Sequence, residues 1–133
     1  MEEITFTESD IKDKSYLEQQ IELEAQRLYT SPKARRGRSV DEIRKVVRQG
    51  KVAEVWLIEN KSFTSAPDIY HDLIDSEGNY VEVKAYNVYN SNSPYVQKDL
   101  DRIRNGGWNR SKWYLLFQYN NGVYNFLEKI LIR

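Results

Sequence analysis

Two aspartates, a glutamate and a lysine lie within one short segment, and these residue types can bind a divalent cation. The cluster Glu82-Val83-Lys84 follows Asp68 and Asp72 in the segment APDIYHDLIDSEGNYVEVKAYN, residues 66–87. Carboxylate oxygens are hard ligands, which suit Mg²⁺ or Mn²⁺. Whether a site exists depends on which aspartate lies beside Glu82.

The turn expected between the two strands of this segment decides the pairing of Glu82. Ser76-Glu77-Gly78 fits a hairpin loop of about three residues, in which a left-handed glycine closes a type I turn. Asp75 then lies opposite Asn79. Continuing the same register places Asp72 opposite Glu82.

Side chains alternate between the two faces of a strand, and this alternation sorts the hairpin. Asp72, Glu82 and Lys84 share one face, while the other face carries the apolar residues Leu73, Val81, Val83 and Ala85. Opposed carboxylates on neighbouring strands repel each other and destabilise a sheet. Lys84 supplies one compensating charge, and a divalent cation held by both carboxylates would supply more. The competing interpretation is a solvated polar face on an amphipathic hairpin.

Asp68 is the alternative ligand on the same segment. It follows Pro67 and lies out of register with Glu82, but a bulge in the strand would bring it to that position instead. His71 is the only histidine, and alternation directs it away from the face of Asp72, so we interpret it as a structural residue. Cysteine is absent, which removes a thiol nucleophile and any cysteine-based metal site.

Helices are predicted in the first half of the chain. Ser15 to Glu18 reads as a capping box, and apolar residues recur at helical spacing over residues 15–29. Ser39 to Glu42 is a second capping box, and Gly50 is expected to end or bend the helix that it opens. The following VAEVWLIEN continues as a buried, nearly all-apolar helix. Glu54 in this helix is costly to bury without a partner, unless it lies at a helix end and reaches solvent.

Strands and one further helix are predicted in the second half. IYHDLID and NYVEVKAYN have strand composition, while KSFTSA before them is short and only weakly strand-like. Ser93-Pro94 begins a helix that Gly106-Gly107 ends. KWYLLFQY and VYNFL flank Asn121-Gly122, which is a strong hairpin signal. The order of elements predicts a mixed α/β domain.

These residues and elements resemble the PD-(D/E)xK nuclease superfamily. The resemblance lies in Asp72, in Glu82-Val83-Lys84 and in Glu54 on an upstream helix, and it covers about residues 40–118. It implies a core made of a helix, a β-meander, a second helix and a further strand. The implied fold is an α/β fold with a restriction-endonuclease-like mixed sheet flanked by helices.

The length of the chain favours one domain over residues 1–133. We expect a helical extension and basic loop at residues 1–38 and the catalytic core at residues 39–133. The helical stripe of the extension could pack on its own core or form the interface of a homodimer. It is made of Leu17, Ile21, Ala25 and Leu28.

The resemblance implies an activity and a role for each site residue. Asp72, Glu82 and Glu54 resemble the residues that hold the metal, and Lys84 resembles the lysine that orients or activates the attacking water. The implied reaction is Mg²⁺-dependent hydrolysis of phosphodiester bonds in DNA, with Mn²⁺ as a substitute. The alternatives are a junction-resolving, nicking or RNA-cleaving enzyme with the same site, and a non-catalytic nucleic-acid-binding protein.

Basic residues are the candidates for contact with nucleic acid. The net charge is +0, so a basic face rather than an overall charge would have to meet the phosphates. PKARRGR is the best candidate for a backbone clamp, since closely spaced cations can neutralise several phosphates. The candidate residues are Lys33, Arg35, Arg36, Arg38, Lys98 and Arg110.

Composition also bears on the compartment. No apolar run approaches the length of a membrane span, and the acidic start MEEITFTESD lacks the apolar segment of a secretory signal. Together with the absence of cysteine, these features predict a cytoplasmic protein with no membrane partner.

Overall fold

The structure is a computed structural model that describes residues 3–68, 71–87, 90–106 and 111–132. Within these ranges the helices are α1 (Lys14–Tyr29), α2 (Pro32–Arg35), α3 (Val40–Asn60) and α4 (Pro94–Arg104). The strands are β1 (Thr5–Thr7), β2 (Thr64–Ser65), β3 (Leu73–Ile74), β4 (Tyr80–Tyr86), β5 (Trp113–Asn120) and β6 (Val123–Leu131).

The described strands form one mixed sheet in the order β1-β6-β5-β4-β3-β2. Strands β2, β3 and β4 form an antiparallel meander, and β4 then pairs in parallel with β5. A parallel pair needs a crossover connection, and α4 lies in the segment between these two strands. The predicted mixed α/β class is confirmed.

Helices cover both faces of the sheet, because each face presents apolar side chains. Residues of α1 and α3 pack on one face with Leu73, Val81, Val83 and Ala85, the four apolar residues that alternation had assigned together. Val96, Leu100 and Ile103 of α4 pack on the other face with Tyr114 and Leu116 of β5. Leu17, Ile21 and Ala25 of the α1 stripe are buried in this first core and Leu28 packs against it, so the stripe packs on its own core.

The hairpin of β3 and β4 has the register that its turn predicted. Leu73 pairs with Val81, and Asp75 donates a backbone hydrogen bond to Asn79 at 3.0 Å. Gly78 has φ +83°, a left-handed conformation that glycine adopts without strain. The ladder ends at the Leu73–Val81 pair, and residues 72 and 82 are the next positions along their two chain segments.

The amino-terminal segment differs from the predicted helical extension. Residues 5–7 form β1, which pairs with β6 at the edge of the sheet, so this segment completes the sheet as well as carrying α1. The helix itself is capped by Asp13, whose side chain accepts from Tyr16 N–H, and the predicted capping box at Ser15 is wrong.

Helix α3 runs from Val40 to Asn60, the last residue of the predicted segment VAEVWLIEN. Its predicted capping box is confirmed, with Glu42 N–H donating to Ser39 Oγ and Ser39 N–H donating to Glu42 Oε1. Gly50 neither ends nor interrupts the helix, because packing over the whole length outweighs the low helix propensity of one glycine. No helix in the described part of the chain has the length and apolar character needed to cross a bilayer.

Candidate active site

The carboxylate of Asp72 lies where the pairing of β3 with β4 ends. In a continued antiparallel ladder, Val83 N–H would donate to the backbone of residue 71. Here it donates to Asp72 Oδ2 at 2.8 Å. This bond fixes the Asp72 carboxylate beside the stretch of β4 that carries Glu82 and Lys84.

The charge of Asp72 acts on two buried glutamates. Burial, followed by the Asp72 charge, raises the pKa of Glu82 from 4.5 to about 7. The same two causes raise the pKa of Glu54 to about 8. Burial also raises the pKa of Asp72 itself, against the favourable effect of a backbone hydrogen bond and two lysines. Burial and mutual repulsion therefore both disfavour the ionised form of these carboxyls.

Glu82 on β4 is contacted by two cations. Its Oε1 lies 3.7 Å from Lys84 Nζ and 3.6 Å from Arg102 Nη2. Burial lowers the pKa of Lys84, but the charges of Glu82 and its neighbours outweigh this effect and raise it, so the ammonium stays protonated. Glu82 is only 8% exposed, and the interpretation of this face as solvated does not hold for it.

Glu54 reaches the cluster from α3. It is 8% exposed, which excludes the alternative of a helix-end glutamate that reaches solvent. The partner that its burial called for is Lys51, one turn earlier on the same helix, whose Nζ lies 3.2 Å from Glu54 Oε1. Lys51 was not predicted as this partner, although its spacing of three residues from Glu54 on a helix is a signal for such a pair.

The carboxylate of Asp68 contacts His71. Its Oδ1 accepts from His71 N–H at 3.0 Å and lies 2.8 Å from His71 Nδ1. The ring of His71 stacks on Tyr80 with 3.9 Å between centroids. Since β3 and β4 pair without a shift in register, Asp72 is the aspartate that is bonded to β4.

A polar network on α4 is a second feature that was not predicted from the sequence. The hydroxyl groups of Tyr86 and Tyr114 both donate to Asp99 Oδ2, the latter at 3.1 Å. Asp99 Oδ1 lies 3.8 Å from Arg102 Nη2, so Asp99 helps to position the arginine that contacts Glu82. The spacing of three residues between Asp99 and Arg102 was the available signal.

Two arginines of the basic segment make local contacts. The Arg35 guanidinium lies 4.0 Å over the ring of Tyr29, and its Nε donates to Arg38 O at 3.0 Å. Arg38 in turn donates to Arg35 O at 3.1 Å and to Ala34 O at 2.8 Å. These bonds satisfy carbonyl groups at the end of α2, so part of this predicted clamp has a structural role.

The other candidate nucleic-acid contacts are more accessible. Lys33 and Arg36 of the basic segment and Lys98 on α4 are exposed. Arg110 lies outside the described residues.

The donor set fits a hydrated magnesium ion. The described residues contain no group of three or more His, Cys, Asp or Glu side chains that could hold a metal. Mg²⁺ keeps several waters and is commonly bound by one or two carboxylates together with substrate phosphates, so Asp72 and Glu82 suit it. Their raised pKa values also show that added positive charge would stabilise them.

The fold and the site together define a mixed α/β domain with a buried acidic cluster and a lysine on a central strand. Comparison of the chain with models of known protein families, with curated proteins and with solved structures gives no match.

Proposed function

We propose that the chain is a metal-dependent endonuclease of the PD-(D/E)xK type that hydrolyses phosphodiester bonds in DNA. The proposal is carried by the position of Asp72, whose carboxylate accepts from Val83 N–H at 2.8 Å and so lies beside Glu82 and Lys84. Carboxylates that share a buried site with protonated lysines are typical of sites that bind a metal ion and a phosphate.

The order of the elements around this site supports the proposal. Helix α3 precedes the meander β2-β3-β4, and α4 leads to β5, which is parallel to β4. This is the order of helix, meander, helix and strand that a restriction-endonuclease-like core requires. The predicted first strand of the meander, in KSFTSA, corresponds to the short β2.

Asp72 and Glu82 are the residues that would hold the divalent cation, which is Mg²⁺ or its substitute Mn²⁺. Such an ion lowers the pKa of a bound water and offsets the charge that develops on the phosphate. Glu54, the third residue expected to hold metal, is paired with Lys51, and its charge adds to the negative potential of the cluster.

Lys84 and Arg102 would act on the substrate. Because Lys84 stays protonated, its ammonium can donate a hydrogen bond to the attacking water or to a phosphate oxygen. Arg102 is exposed and lies 3.6 Å from Glu82, so its guanidinium is available to a phosphate at the mouth of the site.

A cleavage assay with paired variants tests the proposal. Purified protein is incubated with supercoiled, linear, nicked and four-way-junction DNA and with RNA, in Mg²⁺, in Mn²⁺ and in EDTA. We expect metal-dependent cleavage of DNA that Glu82→Gln and Lys84→Met abolish. Glu77→Gln in the hairpin turn and Lys61→Met after α3 are matched controls, since both residues are exposed, and they should cleave at the wild-type rate.

Three results would count against the proposal. If folded Glu82→Gln or Lys84→Met protein cleaves at the wild-type rate, Glu82 and Lys84 do not form the active site. Cleavage at the same rate in EDTA would show that the reaction does not need a metal ion. Preferential cleavage of four-way junctions or RNA would leave the proposed active site unchanged but would identify a different substrate.

A further inference from the structure

Lys51 lies within the acidic cluster and has no role in the mechanism proposed above. Its side chain is only 18% exposed, and its Nζ lies 3.2 Å from Glu54 Oε1. It also acts on Asp72, whose carboxyl pKa it lowers together with Lys84. The ammonium of Lys51 therefore contacts Glu54 directly, and Lys51 lines the same cleft as Asp72.

The surroundings of Lys51 keep it charged. Burial lowers its pKa, but the charges of Glu54, Asp72 and Glu24 outweigh burial and raise it. Glu24 comes from α1, so carboxylates from two helices and from the segment before β3 face the same ammonium. A group with this set of neighbours is a permanent cation at neutral pH.

Lys51 also lies on a solvent-accessible cleft. The cleft has a volume of about 200 Å³, and its walls include Lys51, Asp72, Asp68 and Glu24. An ion that enters along this cleft meets Lys51 on its wall, whereas Glu54 is almost fully buried and does not line the cleft. A divalent cation and an ammonium repel each other, so the two cannot share the carboxylates of Glu54 and Asp72.

We propose that Lys51 is a resident cation, which occupies the position between Glu54 and Asp72 that a second divalent ion would otherwise take. The chain then binds a single divalent ion, at Asp72 and Glu82. This inference rests on the proposed function, because it takes Asp72 and Glu82 as the metal-binding pair. It makes Glu54 the anchor of Lys51 and not a metal ligand.

Titration with Mn²⁺ alone tests the inference, with the EPR signal of the free ion as the readout of bound ions per chain. We expect one ion per chain for the wild type, for Lys51→Arg and for Lys45→Met. Lys45 is an exposed lysine on the same helix and serves as the matched control. Lys51→Met should bind a second ion at least tenfold more tightly than the wild type does. Adding Glu54→Gln to that variant should remove this second ion.

The possible outcomes separate the inference from the proposed function. Two ions on the wild type, or one ion on folded Lys51→Met, would overturn the role of Lys51 and leave the nuclease proposal standing. No ion on the wild type would overturn both. Should Lys51→Met fail to fold, Glu54→Gln alone decides: one ion at wild-type affinity supports the inference, and loss of that ion overturns it.

Discussion

Replacing Asp72 by asparagine is expected to stabilise the metal-free fold and to remove its response to divalent cations. The Asp72 charge is the second cause, after burial, of the raised pKa values of Glu54 and Glu82. A carboxyl with a raised pKa binds its proton more tightly in the folded state. The unfolded glutamates have the ordinary pKa of 4.5, and the folded values are about 8 and about 7. The free energy of unfolding therefore falls as the pH rises from 4.5 through these folded values.

The size of the effect follows from the pKa values. For Glu82, the change from 4.5 to about 7 corresponds to about 3 kcal/mol at about 1.4 kcal/mol per pKa unit. Asp72 causes part of this change, and asparagine still offers an oxygen to Val83 N–H. We expect Asp72→Asn to raise the free energy of unfolding by about 1 kcal/mol at pH 8 in EDTA. At about pH 2, well below the ordinary aspartate pKa of 3.8, it should leave the free energy of unfolding unchanged, because the carboxyls are then protonated in both states.

Urea denaturation at the two pH values, in EDTA and in Mn²⁺, measures both parts of this prediction. At a Mn²⁺ concentration of about 100 times Kd, the wild type should gain about 2.7 kcal/mol and Asp72→Asn should gain nothing. Asp68→Asn is the matched control. It weakens the contact with His71 and should lose about 1 kcal/mol at both pH values, but keep the Mn²⁺ response and most of its cleavage activity.

Two results would refute this reasoning. Asp72→Asn protein that is less stable than the wild type at pH 8 would mean that the Asp72 charge does not repel the two glutamates. Loss of the Mn²⁺ response in Asp68→Asn, together with its retention in Asp72→Asn, would make Asp68 the ligand.

Three further predictions concern residues around the site and in the turns. Arg102→Ala removes a cation that lowers the pKa of the β4 glutamate, so the pH midpoint of Mn²⁺ binding should move upward in a titration; an unmoved midpoint would contradict the contact. Lys33→Ala/Arg36→Ala removes two exposed cations, and the slope of log K for DNA against log salt should become shallower by about 2 if both meet phosphates. Gly50→Ala should stabilise the fold by about 0.5–1 kcal/mol in thermal melts, because no atom outside the helix's own backbone lies within 4 Å of the added Cβ. Gly122→Ala should destabilise the fold by about 1 kcal/mol, because Gly122 has φ +83°, which alanine adopts only with strain.

Local signals in the sequence were sufficient to predict the hairpin of β3 and β4, which carries the candidate site. A loop of the type Ser76-Glu77-Gly78 fixes the register of its strands, because glycine at positive φ closes it in one way. The second hairpin follows in the same manner from Asn121-Gly122, where both residues have positive φ. The capping box at Ser39 needs only four consecutive residues. Each of these features is decided within a few positions of the chain.

Features that depend on distant contacts were not predictable in the same way. Strand β1 has only three residues and exists because β6, more than a hundred positions later, offers an edge to pair with. Asp13 replaces Ser15 as the helix cap, and its backbone N–H is bonded to Glu59 of α3, so a tertiary contact sets where α1 begins. Arg102 was not predicted as a partner of Glu82 because it lies on α4, and the sequence does not show which residues of α4 pack beside β4.

The residue that ends β3 is also the residue that builds the site. The strand has two residues because Asp72 Oδ2, and not a backbone carbonyl, accepts the hydrogen bond of Val83. The backbone of Asp72 still pairs with β2, through Ala66 N–H at 3.2 Å, so the aspartate is held on one side by the meander and on the other by β4. This double attachment keeps a charged carboxylate next to Glu82 although the two repel. The sheet therefore holds the Asp72 carboxylate in place, so the cation that we propose would supply charge without reorganising the strands.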